Sequence, residues 1–330
     1  VGKNAATVAA ALAVTLFAWG MSYVWTKIVL TGMGPFTLVF IRFFLATGLF
    51  ALTFAVTGRK LQHLSPTDHG RMFLLALLQP IGHFAFETCG LLYTSASAAA
   101  LIVAAIPLAV LALSMAGGRQ RASLGDLARI LASAGGVGLV IGCGGSGGDT
   151  PGVGFPLGGE LFGDLLMVGA VLSTAGYVVL GGALTRRIDV LTVTFLQIAW
   201  GAALFLPASV WEISRHGWPR LSGEAALALA ALTVLASFAA FYCYNIVLGR
   251  LSAARSALWL NAVPVVTTLA AWKLLDERLG GWQILGGLVV FAAVAAPRTG
   301  AVCFRPARAC SPLGLAKTET DKMPPAAGRG

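Results

Sequence analysis

Apolar stretches of about 20 residues recur along this chain, and a helix needs about that length to cross the hydrocarbon of a bilayer. They run Ala6–Leu30, Phe36–Val56, Met72–Leu92, Ala96–Met115 and Asp126–Cys143, then Leu161–Ala183, Val190–Trp211, Ala225–Ile246, Ala253–Leu275 and Trp282–Ala296. The fifth and tenth are the shortest. Within lipid each segment must satisfy its own backbone hydrogen bonds, so every one is expected to be helical. Only 11% of the 330 residues are charged and 57% are hydrophobic, too little charge to cover a soluble surface. The expected fold is therefore an all-α membrane protein with about ten transmembrane helices.

The net charge of +10 suggests a nucleic-acid partner, but the distribution of the basic residues argues against one. They sit in short connections between apolar segments, as the positive-inside rule requires. With the amino terminus in the cytoplasm, the inner connections hold Lys3, Arg59, Lys60, Arg71, Arg119, Arg121, Arg129, Arg186, Arg187, Arg250, Arg255 and Arg298. The outer ones hold only Arg215, Arg220, Lys273 and Arg278. An even number of spans returns the carboxyl terminus to the cytoplasm. Residues 144–160 are rich in Gly and Pro and read as a flexible outer linker; residues 298–330 read as a disordered cytoplasmic tail whose Arg305 and Arg308 could meet lipid headgroups. Five cysteines without paired spacing form neither a disulfide framework nor a zinc site. The first apolar segment reads as a span rather than a cleavable signal peptide.

The two halves resemble each other. Ser95–Pro107 (SASAAALIVAAIP) aligns with Ser252–Pro264 (SAARSALWLNAVP), and the same shift pairs Leu75, Leu78 and Phe84 with Leu232, Leu235 and Phe241. A nearly equal shift pairs Phe40 with Phe195 and Arg42 with Gln197. A unit with an odd number of spans forces its successor to enter the membrane from the other side. Residues 1–143 and 161–297 are thus expected to be inverted five-helix repeats, an architecture that transporters place around a central site.

The order and spacing of several short motifs resemble the EamA-type branch of the drug/metabolite transporter superfamily. They are Trp19-Gly20 leading to Lys27, Pro35 followed by Arg42-Phe43-Phe44, and Tyr93-Thr94-Ser95-Ala96 leading to Pro107. The second half adds Ala253 through Pro264, Asp276-Glu277-Arg278-Leu279 and Gly286-Gly287. The resemblance spans roughly residues 10–297, with one EamA-like repeat in each half. It departs before the fifth span, where Arg119-Gln120-Arg121 stands in place of a Glu-Arg pair. It implies secondary transport, usually export of metabolites, amino acids or drugs, from a bacterial inner (plasma) membrane.

Ionisable residues in hydrocarbon call for a reason. Lys27, Arg42 and Glu87 fall at similar depth in the outer third and are expected to form a charged outer gate, a site for a substrate carboxylate, or a static Arg42–Glu87 ion pair beside a snorkelling Lys27. Gln79, His83 and Glu87 recur every fourth residue, which puts them on one helix face, and Glu87 is a candidate proton carrier. Trp19, Ser22 and Tyr23 of the first span, Ser173 and Tyr177 of the sixth, and Trp259 and Asn261 of the ninth are expected to line a central substrate pocket with Gln79 and His83. Helix packing is the alternative for each of them. Pro107 and Pro264, at matching places in the repeats, are expected to bend their helices. Trp211, Trp218 and Trp282 read as interfacial anchors. Gly138 and Gly142 form a GxxxG pattern that fits close helix packing. Gly144–Gly148 matches G-x-S-x-G only formally, since no strand precedes it. No nucleotide-binding P-loop and no metal-ligand cluster occurs in the sequence.

The expected function is alternating-access transport, most simply export, of a small molecule, driven by protons or by another solute. No cofactor is implied, and the protein is expected to work as a monomer or homodimer in the bilayer. A membrane-embedded enzyme or a channel is the alternative.

Overall fold

The computed structural model describes residues 2–117, 123–142, 159–181, 188–250, 259–260 and 262–296. The expected linker (mostly residues 144–158), the tail 298–330, Arg119–Arg121, Arg186, Arg187, Arg255 and Asn261 lie outside the described residues. Among those described, the regular secondary structure is helical. Eight helices are long and apolar enough to cross a membrane: α1 (Ala6–Leu30), α2 (Pro35–Thr57), α3 (Pro66–Gly90), α4 (Ala96–Ala116), α5 (Leu124–Gly142), α6 (Glu160–Leu180), α7 (Val190–His216) and α8 (Gly223–Val247). Two shorter apolar helices follow, α9 (Val263–Leu275) and α10 (Gly281–Ala295). The third begins at Pro66, six residues before the apolar run, because its first turn is set by a cap rather than by hydropathy. The Ser65 side chain accepts from the Asp68 N–H, and Pro66 occupies the first helical position. Ser95, Ser222 and Asp189 cap α4, α8 and α7 in the same way.

Three helices are interrupted. In α3, Gln79 is extended (φ −146°, ψ 120°) ahead of Pro80, with a cis peptide bond between them. In α8 the matching stretch, Leu232–Ala240, winds as wider π-type turns. In α4 the first piece ends at Val103 and the second begins at Ile106, with Pro107 at its second position. Pro264 stands at the same position of α9, so both prolines expected to bend a helix lie beside a start or an interruption.

The helices of one half pack mainly on those of the other. α2 lies along α7, α5 along α10, α3 along α6, and α1 along α8 and α9, while α4 touches α6 and α9. The main core joins Val29, Leu38, Phe43, Phe50, Ile198 and Leu232, all fully buried. Large apolar side chains such as Phe44, Leu52, Leu131, Leu172 and Leu227 point outward, as lipid-facing residues do. Trp211, Trp218 and Trp282 are also exposed, close to helix ends.

The crossing of α5 and α10 corrects one sequence expectation. Gly138 and Gly142 face open space. The close approach is made by Gly136, where a Cβ would lie 2.7 Å from the Gly286 carbonyl oxygen, and by Gly286, where it would lie 2.6 Å from the Gly136 carbonyl oxygen. The glycine spacing was correct for packing but on the wrong face, because the partner helix decides which face is used. Gly136→Leu should therefore cost about 1–3 kcal/mol of overpacking and lower the thermal unfolding midpoint in detergent, whereas Gly138→Leu should leave it unchanged. Equal midpoints for the two variants would contradict this crossing.

Candidate functional site

The break in α3 shapes the site. Gln79 is extended, the His83 N–H reaches back across the break to the Leu78 carbonyl, and Ser173 of α6 adds a second bond to that carbonyl, donating its hydroxyl at 2.8 Å. That bond ties α3 to α6 and is the partner that Ser173, expected above as a pocket residue, has in this structure. Gln79 leaves the polar stripe, so the expected three-residue face shortens to two. Beyond the break, His83 and Glu87 keep helical spacing, and His83 Nε2 lies 3.0 Å from Glu87 Oε2.

Both side chains are buried, and the chain of contacts continues on either side. Tyr23 of α1 stands beside the Glu87 carboxylate. His83 Nδ1 lies 2.9 Å from Thr174 Oγ1 and 3.3 Å from the Ala170 carbonyl oxygen of α6. Two proton placements satisfy this chain. With Glu87 ionised and the ring proton on Nε2, Nδ1 accepts from the Thr174 hydroxyl. With Glu87 protonated and donating to Nε2, Nδ1–H donates to Thr174 or to the Ala170 carbonyl. One proton on Glu87 thus reverses the direction of the Glu87–His83 and His83–Thr174 bonds, while the Ser173–Leu78 bond keeps its own.

Arg42 of α2 stands beside this chain. It is 1% exposed, and its Nε donates to Ser237 Oγ of α8 at 2.9 Å. The guanidinium lies 4.8 Å from the Phe84 ring centroid and 5.3 Å from that of Phe43, a cation–π pocket. Its Nη1 is buried without a hydrogen-bond partner. The expected Arg42–Glu87 ion pair is absent among the described residues: the Glu87 carboxylate pairs instead with His83, one turn away on the same helix. Lys27 is also paired differently, with Nζ 3.7 Å from Glu277 Oε1 at the α9–α10 connection.

Around these groups stands a wall of rings. Phe84 meets Phe43 edge-on at 5.1 Å, and Trp19 meets Phe241 at 5.4 Å and Tyr244 at 4.8 Å. Trp19 Nε1 donates to the Ala236 carbonyl, and Ser22 donates to the Trp19 carbonyl. Tyr177 is buried and accepts from Gln197 Nε2 at 2.5 Å. Trp259 is 54% exposed, so the structure does not enclose it with Tyr23, His83 and Tyr177. A cavity of about 540 Å³ opens elsewhere, between α9 and α10, lined by Leu101, Pro264, Trp272, Ile284 and Leu288 among others, and the polar chain does not border it.

Sequence reasoning missed Ser237 and the phenylalanine cage of Arg42. It also missed Glu212, which is buried at the start of α2. A signal for Glu212 was present: Gly34-Pro35 begins a helix without a side chain able to cap it, so an acceptor had to come from elsewhere.

Sequence comparison agrees with this picture. The chain belongs to the EamA-like transporter family, whose profile matches it twice, over residues 6–142 and 161–296. It is 28% identical over 284 residues to an uncharacterized transporter of Archaeoglobus fulgidus, covering 86% of this chain and 94% of that protein. It is 25% identical to the uncharacterized transporter YcxC of Bacillus subtilis (84% and 88% covered) and 27% identical to the uncharacterized inner membrane transporter YedA of Escherichia coli (84% and 86%). A solved crystal structure superposes with a TM-score of 0.59 at 18% identity, covering 88% of this chain and 96% of that one, and so shares the fold. This protein is thus an integral membrane protein of a transporter family.

If the Ser173 bond holds α3 against α6, Ser173→Ala removes one of the two hydrogen bonds to the Leu78 carbonyl and should cost about 0.5–1.5 kcal/mol. Thermal unfolding in detergent would read this as a lowered midpoint. An unchanged midpoint would return Ser173 to the list of pocket residues.

Proposed function

We propose that this protein is a secondary active exporter of a small solute that carries an anionic group, working by alternating access and coupled to protons. The observation that carries the reading is the buried chain from Glu87 through His83 to Thr174, with Tyr23 and Arg42 beside it. It joins α3 of one half to α6 of the other, within helices long and apolar enough to span a membrane. In this reading the unpartnered Nη1 of Arg42 receives the anionic group of the solute. Phe43, Phe84 and Trp19 form the wall, and Glu87 carries the proton. Gln79 and Tyr177 stand at the edges of this region. Trp259 keeps its proposed pocket role only in a conformation that brings α9 inward, and Asn261 remains a proposed pocket residue.

The scaffold in this reading is ten spans in two inverted five-helix repeats, with both ends of the domain cytoplasmic. Two observations support it. The family profile matches once in each half. The packing is also compatible with a twofold exchange of halves: swapping α1–α5 with α6–α10 turns the α3–α6 contact into α8–α1, turns α4–α6 into α9–α1, and returns α2–α7 and α5–α10 to themselves. The charged residues break this symmetry, since Arg42 and Glu87 face Gln197 and Tyr244 at equivalent positions. Coupling chemistry in this reading therefore resides in the first half, and Pro107 and Pro264 are its bending points.

The test begins with an export screen: metabolites in the medium of overexpressing cells identify a solute, which is then followed in proteoliposomes. Saturable flux with counterflow is expected. Glu87→Gln should abolish acceleration by a pH gradient while the protein remains folded in the membrane, and Arg42→Gln should weaken solute binding by about 10- to 100-fold, the worth of a charge-assisted hydrogen bond. Flux in Glu87→Gln that still follows the pH gradient would remove proton coupling through this residue.

A further inference from the structure

One face of the molecule, which carries the α1–α2, α3–α4, α7–α8 and α9–α10 connections, is closed by carboxylates that all come from the second half. Glu212, near the end of α7, accepts from the Thr37 N–H at 2.8 Å, from Thr37 Oγ1 at 2.5 Å and from the Phe36 N–H at 3.4 Å. These are unpaired donors of the first turn of α2, which has no cap of its own. Glu277, after α9, accepts from the N–H groups of Ala96 and Ser97 and from Ser97 Oγ, each at 3.0 Å, at the first turn of α4. It also pairs with Lys27. Asp164 of α6 accepts from Thr94 Oγ1 at 2.5 Å, just before α4. A backbone bond, Arg220 N–H to the Gly32 carbonyl at 3.1 Å, closes the α1–α2 connection against the α7–α8 connection.

Every carboxylate bond in this set runs from a first-half donor to a second-half acceptor. The seam is also tight: a Cβ at Gly34 would lie 2.1 Å from the Glu212 carboxyl carbon, so only glycine lets the carboxylate seat. A carboxylate at a helix N-terminus is held by both the N–H groups and the helix dipole. Both partners regain hydrogen bonds to water when the seam opens, so the bonds can hold one state without locking it.

We propose that Glu212, Glu277 and Asp164 form the outer gate latch of the transport cycle, holding the outer face shut by capping helices of the opposite half and releasing them when that face opens. This rests on the alternating-access reading above. It moves the gate away from Glu87 and Arg42, expected there from sequence, and leaves those two residues to the site behind it.

The test is labelling of a single cysteine behind the latch by a membrane-impermeant maleimide added outside, which reads the gate whether or not a solute is known. Thr26→Cys, at a buried position of α1, serves as reporter in a chain whose native cysteines are replaced. Glu212→Gln and Glu277→Gln should each speed its labelling at least about tenfold, the loss of one charge-assisted hydrogen bond, while labelling of Leu61→Cys on the opposite face, read in inside-out vesicles, stays constant. Reporter rates unchanged in both folded variants would overturn the latch. Should these variants fail to fold, Ser97→Cys with Glu277→Cys, bridged by a short thiol cross-linker, gives the second reading. Bridging is expected to suppress Thr26→Cys labelling below that of the unbridged protein, and labelling that continues at the unbridged rate would overturn the proposal. If the latch responds but no saturable flux is found, the transport reading fails and the latch stands.

Discussion

Inside a bilayer a polar group can satisfy itself only with other parts of the protein, and this requirement organises the structure. Apolar side chains gain little by leaving lipid for the interior, so helix association depends on close packing and on hydrogen bonds. At several helix interruptions and starts, a side chain from the other half meets the backbone. Ser173 does so for the carbonyl of Leu78, and Glu212 and Glu277 do so for the first turns of α2 and α4. Each of these bonds crosses between the halves, so the bonds that meet the backbone also join the two halves.

The same requirement separates structural polar groups from those available for work. Ser173, Tyr177 and Ser22 each have a hydrogen-bond partner within the protein. Arg42 is different: a fully buried cation with one guanidinium nitrogen unpartnered is costly unless something binds there during function. Glu87 and His83 differ again, since their bonds tolerate either placement of one proton. Arg42 and Glu87 have no charged counterpart in the second half, where Gln197 and Tyr244 stand at the equivalent places. A duplicated scaffold thus carries an unduplicated site.

Much of the fold was legible in the sequence because a run of about 20 apolar residues has few other uses. The eight long helices lie where those runs lie, and the GP and SP dipeptides at Pro35 and Pro66 mark starts that hydropathy alone placed late. Less was legible at the site. The i, i+4 spacing of His83 and Glu87 led to a real contact, but Pro80 removed Gln79 from the same face, an effect that counting residues along an ideal helix does not include. Lys27 finds its partner 250 positions away at Glu277, and Arg42 finds Ser237 rather than the nearer carboxylate. Such pairings depend on which helices become neighbours, and a one-dimensional pattern carries that only through the repeat. The GxxxG pattern shows the same limit: Gly138 and Gly142 had the spacing, while Gly136 and Gly286 had the partner.

The central claim is that the two halves enter the membrane from opposite sides and close on each other. Single cysteines at Leu61 and at Trp218, both exposed and at equivalent connections of the two halves, test it most directly when an impermeant thiol reagent is applied to whole cells and to inside-out vesicles. Inverted halves predict that Trp218→Cys reacts in cells and Leu61→Cys only in inside-out vesicles. Reaction of both from the same side would make the repeats parallel and leave the paired-half account without its geometry.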